Sequence, residues 1–168
     1  MNSLLEELIS VFEELFDLHR SLISALLDEK AAIVESKLFE LNKANKEKET
    51  LILKIKKLED KRFDLVSTLS NSLDDELLDF TLEKLCRITN EPYSSRLHHC
   101  RENLLLSISQ VKELNDSNKV LLTNSIEFIR GSLTLFDNLM TSRSNSVYYP
   151  SGKIENRDHS GRVFSGEI

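Results

Sequence analysis

Residues 4–25 read LLEELISVFEELFDLHRSLISA, and the spacing of their apolar side chains decides the fold class. One seam steps by four and three residues in alternation: Leu4, Leu8, Val11, Leu15, Leu18, Leu22 and Ala25. This spacing places the side chains along one side of an α-helix. Further apolar residues flank the seam: Leu5, Ile9, Phe12, Phe16, Ile23 and Leu26. A stripe this broad is typical of a helix in a bundle. We predict a helix over about 3–30, capped by Ser3 and Glu6.

The composition excludes folds that are rich in β-structure. The chain has 168 residues with four Gly and two Pro, and residues 1–130 contain no Gly and only Pro92. A sheet needs turn residues about every ten positions, and this sequence does not supply them. We therefore predict an all-α fold, an elongated antiparallel helical bundle or coiled-coil hairpin.

Three further helices are predicted from the same spacing. The second covers about 35–69, and the third covers about 73–89, after the break at Ser70-Asn71-Ser72. The fourth covers about 94–142, which is roughly 70 Å of helix. Within it, the polar stretch Asn115–Asn118 is a place where the helix could bend or break.

The last 26 residues differ from the rest. From Arg143 the sequence is rich in Ser, Asn, Gly and Arg and has no apolar periodicity. We therefore predict a single helical domain over 1–142 and a flexible tail over 143–168.

The charge pattern argues against nucleic acid as a partner. The formal net charge is −6, whereas a nucleic-acid binder usually has a basic excess. Residues 1–30 carry a net −5 and residues 31–62 a net +3, which favours pairing of the first two helices. The densest basic run, residues 54–62, is interrupted by Glu59 and Asp60, and we predict that it is a solvated flank.

The sequence also predicts a compartment. No run of 18 apolar residues is present, so we expect no membrane insertion. The acidic, amphipathic N-terminus does not resemble a signal peptide, and we expect a cytosolic protein with reduced cysteines.

Few residues suggest chemistry. Cys100 continues the apolar frame of the fourth helix, so we predict that it is a core residue. His98 and His99 point about 100° apart on a helix, which does not suit a shared metal, and we predict that they and His19 lie on helix flanks. No Ser, Cys or Lys lies beside a plausible base in an exposed turn. We therefore expect no enzyme activity and no metal site.

Short motifs occur in an order that points to a family. ALLD at 25–28 ends the first helix, and KETL at 48–51 with LEDKR at 58–62 fits K-E-x-L and L-E-x-x-R. NDSNKVLLTNSIEF at 115–128 fits N-x-x-N-x-x-L-L-x-x-S-I-x-F, and the tail then carries YPSGK at 149–153. Over about 4–155 the chain resembles the FlgN family, bacterial flagellar export chaperones for hook–filament junction proteins. The extension after residue 153 departs from this pattern.

The resemblance implies a cytosolic bacterial protein without catalysis or cofactor. It would hold unassembled junction proteins, taking an amphipathic helical segment of theirs in a groove, and deliver them to the export apparatus. In the family, substrate binds to the end of the last helix and to the tail. Carried onto this chain, the partner-binding residues are Ile126, Ile129, Leu133, Phe136, Leu139, Met140, Tyr149 and Gly152.

A geometric argument points to the same helix end. If the helices ran alternately up and down, the short third helix would rise only about 25 Å. The far end of the fourth would then overhang the first two and expose Ile129, Leu133 and Phe136. Exposed apolar patches of this kind mark partner sites or oligomer interfaces.

Two other functions compete with the chaperone. The first is a structural coiled-coil adaptor that self-associates through its last helix, and a homodimer also stays open. The second is a nucleic-acid or membrane-surface binder that uses residues 54–62.

Overall fold

The structure is a computed structural model, and it describes residues 1–72 and 81–144. Within these residues it contains four α-helices and no strand, which confirms the predicted all-α fold. They are α1 (Asn2–Val34), α2 (Leu38–Ser72), α3 (Leu82–Ile88) and α4 (Tyr93–Ser144). The predicted tail beyond Ser144, and the part of the predicted third helix over 73–80, lie outside the described residues.

The start of α1 differs from the prediction. Met1 is the N-cap, and it makes no side-chain capping hydrogen bond, so the predicted capping box does not form. Glu6 instead accepts hydrogen bonds from Arg96 Nη1 on α4 at both carboxylate oxygens, at 2.9 and 2.8 Å.

A tight turn joins α1 to α2. The first helix ends at Val34, four residues later than predicted, and Ser36 adopts a left-handed backbone conformation with φ 55°. The Lys37 N–H donates to the Ala32 carbonyl, and the Ser36 N–H donates to the Ile33 carbonyl. This pair of bonds is a Schellman motif, which satisfies carbonyls that a helix end would otherwise leave open.

The two helices form an antiparallel hairpin. Glu7 near the start of α1 pairs with Lys61 late in α2, and Glu29 near the end of α1 pairs with Lys48. These pairs agree with the opposite charges of the two segments.

The hairpin packs around two apolar clusters. One lies toward the start of α1 and includes side chains of all four helices: Leu5, Leu8, Ile9, Val11, Phe12, Leu15, Leu65, Leu69, Leu85, Cys86, Leu97 and Cys100. The other is smaller and lies further along α1: Leu22, Ala25, Leu26 and Leu51.

Among the described residues, α3 lies within the predicted span of the third helix. Its N-cap is Thr81, whose Oγ1 accepts from the Lys84 N–H, and it ends at Ile88 because Thr89 is extended. Ser94 at the start of α4 donates to the Cys86 carbonyl at 2.7 Å and so ties the two helices together.

The direction of α4 contradicts the up-and-down arrangement. Arg96 contacts Glu6, and Asn118 contacts Leu26 and Glu29, so α4 runs parallel to α1. Leu85 and Cys86 of α3 lie in the cluster toward the start of α1, and α4 starts at the same end of the hairpin. The helix is continuous through Asn115–Asn118, so it does not break there.

The chain divides into two compact units, Met1–Leu122 and Thr123–Ile168. The first holds both apolar clusters. In the second, the described residues are the last part of α4. The predicted boundary between a domain over 1–142 and a tail stays a prediction.

Candidate partner-binding surface

The end of α4 carries a row of exposed apolar side chains. We call these side chains, which are spaced by three and four residues, the first row: Ile126, Ile129, Leu133, Phe136 and Met140. The exposed fractions of these side chains lie between 42% and 63%. All five were predicted as partner-binding residues from the sequence. Their exposure agrees with that prediction, although whether they bind a partner stays a prediction.

A second row lies beside the first. It consists of Phe128, Leu135 and Leu139, which are 66–76% exposed. Sequence reasoning included only Leu139, although the seven-residue spacing of Phe128 and Leu135 was a signal that could have found the others. We call the two rows together the α4 surface. At 100° per residue it covers about 180° of the helix circumference.

The two rows belong to different heptad frames. Within the first unit, one frame of buried and half-buried α4 positions steps by three and four residues: Leu97, Cys100, Leu104, Ser107, Val111, Leu114 and Asn118. Continued along the sequence, this frame reaches Phe128, Leu135 and Leu139, the second row. The first row is shifted by one residue from it. After residue 121, α4 therefore carries the first row in addition to the second row, which continues the frame of the first unit.

A buried polar cluster fixes α4 against the hairpin. Glu29 Oε1 lies 2.7 Å from Lys48 Nζ, and Glu29 Oε2 accepts from Asn118 Nδ2 at 2.9 Å. Asn118 Nδ2 also donates to the Leu26 carbonyl at 2.8 Å, and the residue is only 2% exposed. Its Oδ1 has no hydrogen-bond partner in the part of the chain that the structure describes. Because α1, α2 and α4 each contribute one side chain, the cluster fits only one register of the three helices.

Sequence reasoning missed this cluster. It gave residue 48 only as part of the KETL motif, it placed Asn118 in a stretch where the helix could bend or break, and it did not single out Glu29. The available signal was that Glu29 lies seven residues after Leu22 in the apolar frame of α1.

The described cysteines and histidines are not grouped as a metal site or a catalytic site would require. Cys86 and Cys100 are buried, as predicted for Cys100, and burial raises the pKa of both thiols. His98 and His99 are exposed. The prediction for His19 was wrong, because it is buried and its Nδ1 donates to the Leu15 carbonyl at 2.7 Å. No group of three or more His, Cys, Asp or Glu within residues 1–72 and 81–144 could hold a metal ion.

The basic run is accessible to solvent in part. Lys54, Lys56 and Lys57 are exposed, whereas Lys61 pairs with Glu7 and Arg62 pairs with Glu59. Part of the run is thus engaged in ion pairs, as expected of a solvated flank.

Two predicted site residues, Tyr149 and Gly152, lie outside the described residues. Among the helices that are described, none is long and apolar enough to span a membrane.

Comparison with known proteins gives one family. The model of the FlgN protein family matches residues 1–156, nearly the whole chain, and leaves the last twelve residues outside the match. No curated protein and no solved structure gives a significant match.

Proposed function

Because the chain belongs to the FlgN family of flagellar export chaperones, we propose that it binds unassembled hook–filament junction proteins in the bacterial cytosol and delivers them to the export apparatus. The family is one of chaperones, not enzymes. The α4 surface is the proposed binding site.

The observation that carries the proposal is the exposure of eight apolar side chains on one helix. Between Ile126 and Met140 the α4 surface presents Ile, Leu, Phe and Met side chains, each at least 42% exposed. Such surfaces on a protein in water mark a place where another chain binds. A partner helix with its own apolar side would bury them, as amphipathic helices do when they dock in apolar grooves.

The shape of the surface suits a helical partner. Side chains spaced by three and four residues form ridges that interlock with those of a second helix. The polar side of the same helix carries Glu127, Thr134 and Asn138, which would stay in water. A junction-protein segment would therefore be recognised by its pattern of apolar residues.

The proposal also includes the tail. Tyr149 would supply an aromatic anchor for the bound segment, and Gly152 would permit a turn behind it. The support for these two roles is the resemblance of the tail to the family pattern.

The test replaces apolar residues of the α4 surface with an acidic one. Phe136→Asp and Ile129→Asp should each abolish capture of a purified junction protein, because a carboxylate cannot be buried against apolar side chains. Helix content and melting temperature should stay nearly unchanged, since both side chains are exposed.

Two further variants act as controls. Thr134→Asp adds the same charge to the polar side of the same helix and should bind normally. Leu15→Asp places the charge in the main apolar cluster and should unfold the protein. If Phe136→Asp destabilises the protein as much as Leu15→Asp, the side chain is part of the core and the proposed site is wrong.

A further inference from the structure

One side of the bundle is covered by α3 at one end only. Near the start of α1, α3 lies against both α2 and α4. Val66 of α2 lines a small cavity with Leu82 and Leu85 of α3, and Glu83 Oε2 lies 3.6 Å from Arg101 Nη2 on α4. Closer to the α1–α2 turn, no other helix of the described chain takes the place of α3. The side between α2 and α4 is therefore open over that part of the bundle.

Equivalent positions on this side differ in exposure according to whether α3 covers them. Val66 is half-buried beside α3, whereas Ile52, two heptads earlier on α2, is 52% exposed. On α4, Ile108 lies one heptad after Arg101 and is 45% exposed, and Leu105 next to it is 53% exposed. A helix drifts by only about 20° per heptad, so these side chains lie on the same side of the bundle as those beside α3. We call Ile52, Leu105 and Ile108 the α2–α4 face.

The two edges of this face are close enough for one helix to contact both. Leu51 of α2 and Val111 of α4 lie next to the face and pack in the same apolar cluster. The two helices are therefore neighbours at this level. A further helix laid along the α2–α4 face would contact both of them, as α3 does at the other end.

The connection between α2 and α3 is too short to cover the α2–α4 face. Eight residues, 73–80, join Ser72 to Thr81, and a chain of that length spans about 30 Å at full extension. Ser72 lies about 30 Å from Ile52 along α2, and the connection must also return to Thr81 beside Val66. A cover for this face therefore has to come from elsewhere.

Positive charges border the α2–α4 face on both helices. Lys56 follows Ile52 by one helical turn, and Lys112 follows Ile108 by one helical turn. Both lysines are exposed. At the end that α3 covers, an acidic side chain of α3 likewise lies near a basic one of α4. A partner helix with acidic residues beside its apolar row would repeat this pairing.

Two carboxylates of α2 lie on the same side. Glu59 is already paired with Arg62, at 2.7 Å. Glu49 lies one turn beyond Ile52, toward the α1–α2 turn. The stretch between these two carboxylates, at Lys56 and Lys112, is therefore the place where acidic residues of a partner fit.

We propose that the α2–α4 face binds an amphipathic helix of another protein, in which acidic residues border the apolar row. The helix continues the position of α3 toward the α1–α2 turn and buries Ile52, Leu105 and Ile108. Its carboxylates lie beside Lys56 and Lys112. This site is separate from the α4 surface, so the proposal goes beyond the proposed function and does not rest on it.

The test uses two synthetic peptides of about 18 residues, long enough for five helical turns. One carries a row of Leu at steps of three and four residues with Glu on both sides of the row, and the other has Lys in place of Glu. Each is titrated into the full chain, and binding is followed by the methyl NMR signals of isoleucine. The Glu peptide should shift the signals of Ile52 and Ile108, and the Lys peptide should bind about tenfold more weakly.

Three variants make the result specific. A double variant with Lys56→Glu and Lys112→Glu should prefer the Lys peptide, and both changed side chains are exposed, so the fold should be kept. Ile108→Asp should abolish binding of the Glu peptide. Leu106→Asp adds the same charge to α4 at a side chain that is 67% exposed, on the side toward α1, and should bind normally. If the Glu peptide moves neither signal, or the double variant still prefers it, the proposal is wrong.

A further measurement identifies other occupants of the face. A water-soluble nitroxide added to the free full chain should broaden the methyl signals of Ile52 and Ile108, because both side chains are exposed. Protected signals would mean that the tail of this chain or a second copy already covers the face, and either result overturns the proposal.

The Phe136→Asp variant separates this proposal from the proposed function. It should lose junction protein and still bind the Glu peptide with the wild-type Kd. If it loses junction protein but the Glu peptide binds neither protein, the α2–α4 site is wrong and the proposed function stands. If the Glu peptide binds as expected but junction protein does not bind the α4 surface, the α2–α4 site stands and the proposed function is wrong.

Discussion

Glu29→Ala tests whether the buried polar cluster holds the three helices in register. The carboxylate contacts Lys48 Nζ at 2.7 Å and Asn118 Nδ2 at 2.9 Å, and its removal leaves a buried ammonium without a counter-ion. Breaking a fully buried ion pair costs about 3–5 kcal/mol. The Lys48 side chain is 15% exposed and can move its charge toward water, so we expect a loss of about 2–3 kcal/mol in the free energy of unfolding.

The assay is urea and thermal unfolding followed by circular dichroism. For a chain of this size the expected loss lowers Tm by about 5–10 °C. The control is Glu7→Ala, which breaks the ion pair with Lys61, where both side chains are 46–49% exposed. That change should cost less than about 1 kcal/mol.

A double-mutant cycle gives the refuting result. Once Lys48 is alanine, Glu29→Ala should cost clearly less than it does in the wild type, because the pair is already broken. If Glu29→Ala costs no more than Glu7→Ala, or if the two changes are additive, the cluster does not couple α1 to α2 as the distances indicate.

Three further predictions concern the turn, the basic run and the thiols. Ser36→Gly should raise the unfolding free energy by about 0.5–1 kcal/mol in urea unfolding, whereas Ser36→Ala should not, because only Gly adopts φ 55° without strain. Changing the three lysines of residues 54–57 to Gln should alter the Kd for junction protein less than about threefold, since exposed charges contribute little; a tenfold loss would contradict this. Cys86 and Cys100 should react with a thiol reagent far more slowly in the folded than in the urea-unfolded protein. Their folded pKa lies above the ordinary 9.0, so the unfolded chain ionises first and stability should fall as pH rises above about 9; a stability that stays flat to pH 10 would contradict burial.

The helices were predictable because their period is local information. Steps of three and four residues specify a helix and its apolar side without knowledge of any neighbour. Which row of side chains lies at the centre of the buried side of a helix was not predictable. In α1 the wide stripe left several rows available, and packing buried the row that includes Leu5, Phe12, His19 and Leu26. His19 was therefore misplaced on a flank.

The contacts between helices could not be predicted from the spacing of apolar residues within each helix. Lys48 and Asn118 interrupt apolar frames, and a single helix cannot show that each interruption meets Glu29 on another helix. The direction of α4 was predicted wrongly, because the pattern within one helix does not say whether it runs parallel or antiparallel to its neighbours. The up-and-down arrangement behind the geometric argument was therefore incorrect, although the side chains of the first row are exposed as expected.

The sequence separation between α1 and α4 also bears on the order in which the chain folds. The α1–α2 hairpin closes through a three-residue turn and needs nothing beyond Ser72, whereas Glu6 must wait for Arg96, 90 residues later. Contacts so distant in sequence form late, because a long loop must close first. At about 5–20 residues per second, the ribosome needs several seconds to make the segment from Ser72 to Asn118. During that interval the nascent hairpin exposes apolar side chains that α4 later covers. We therefore expect that another factor must protect these side chains from aggregation until α4 has been made.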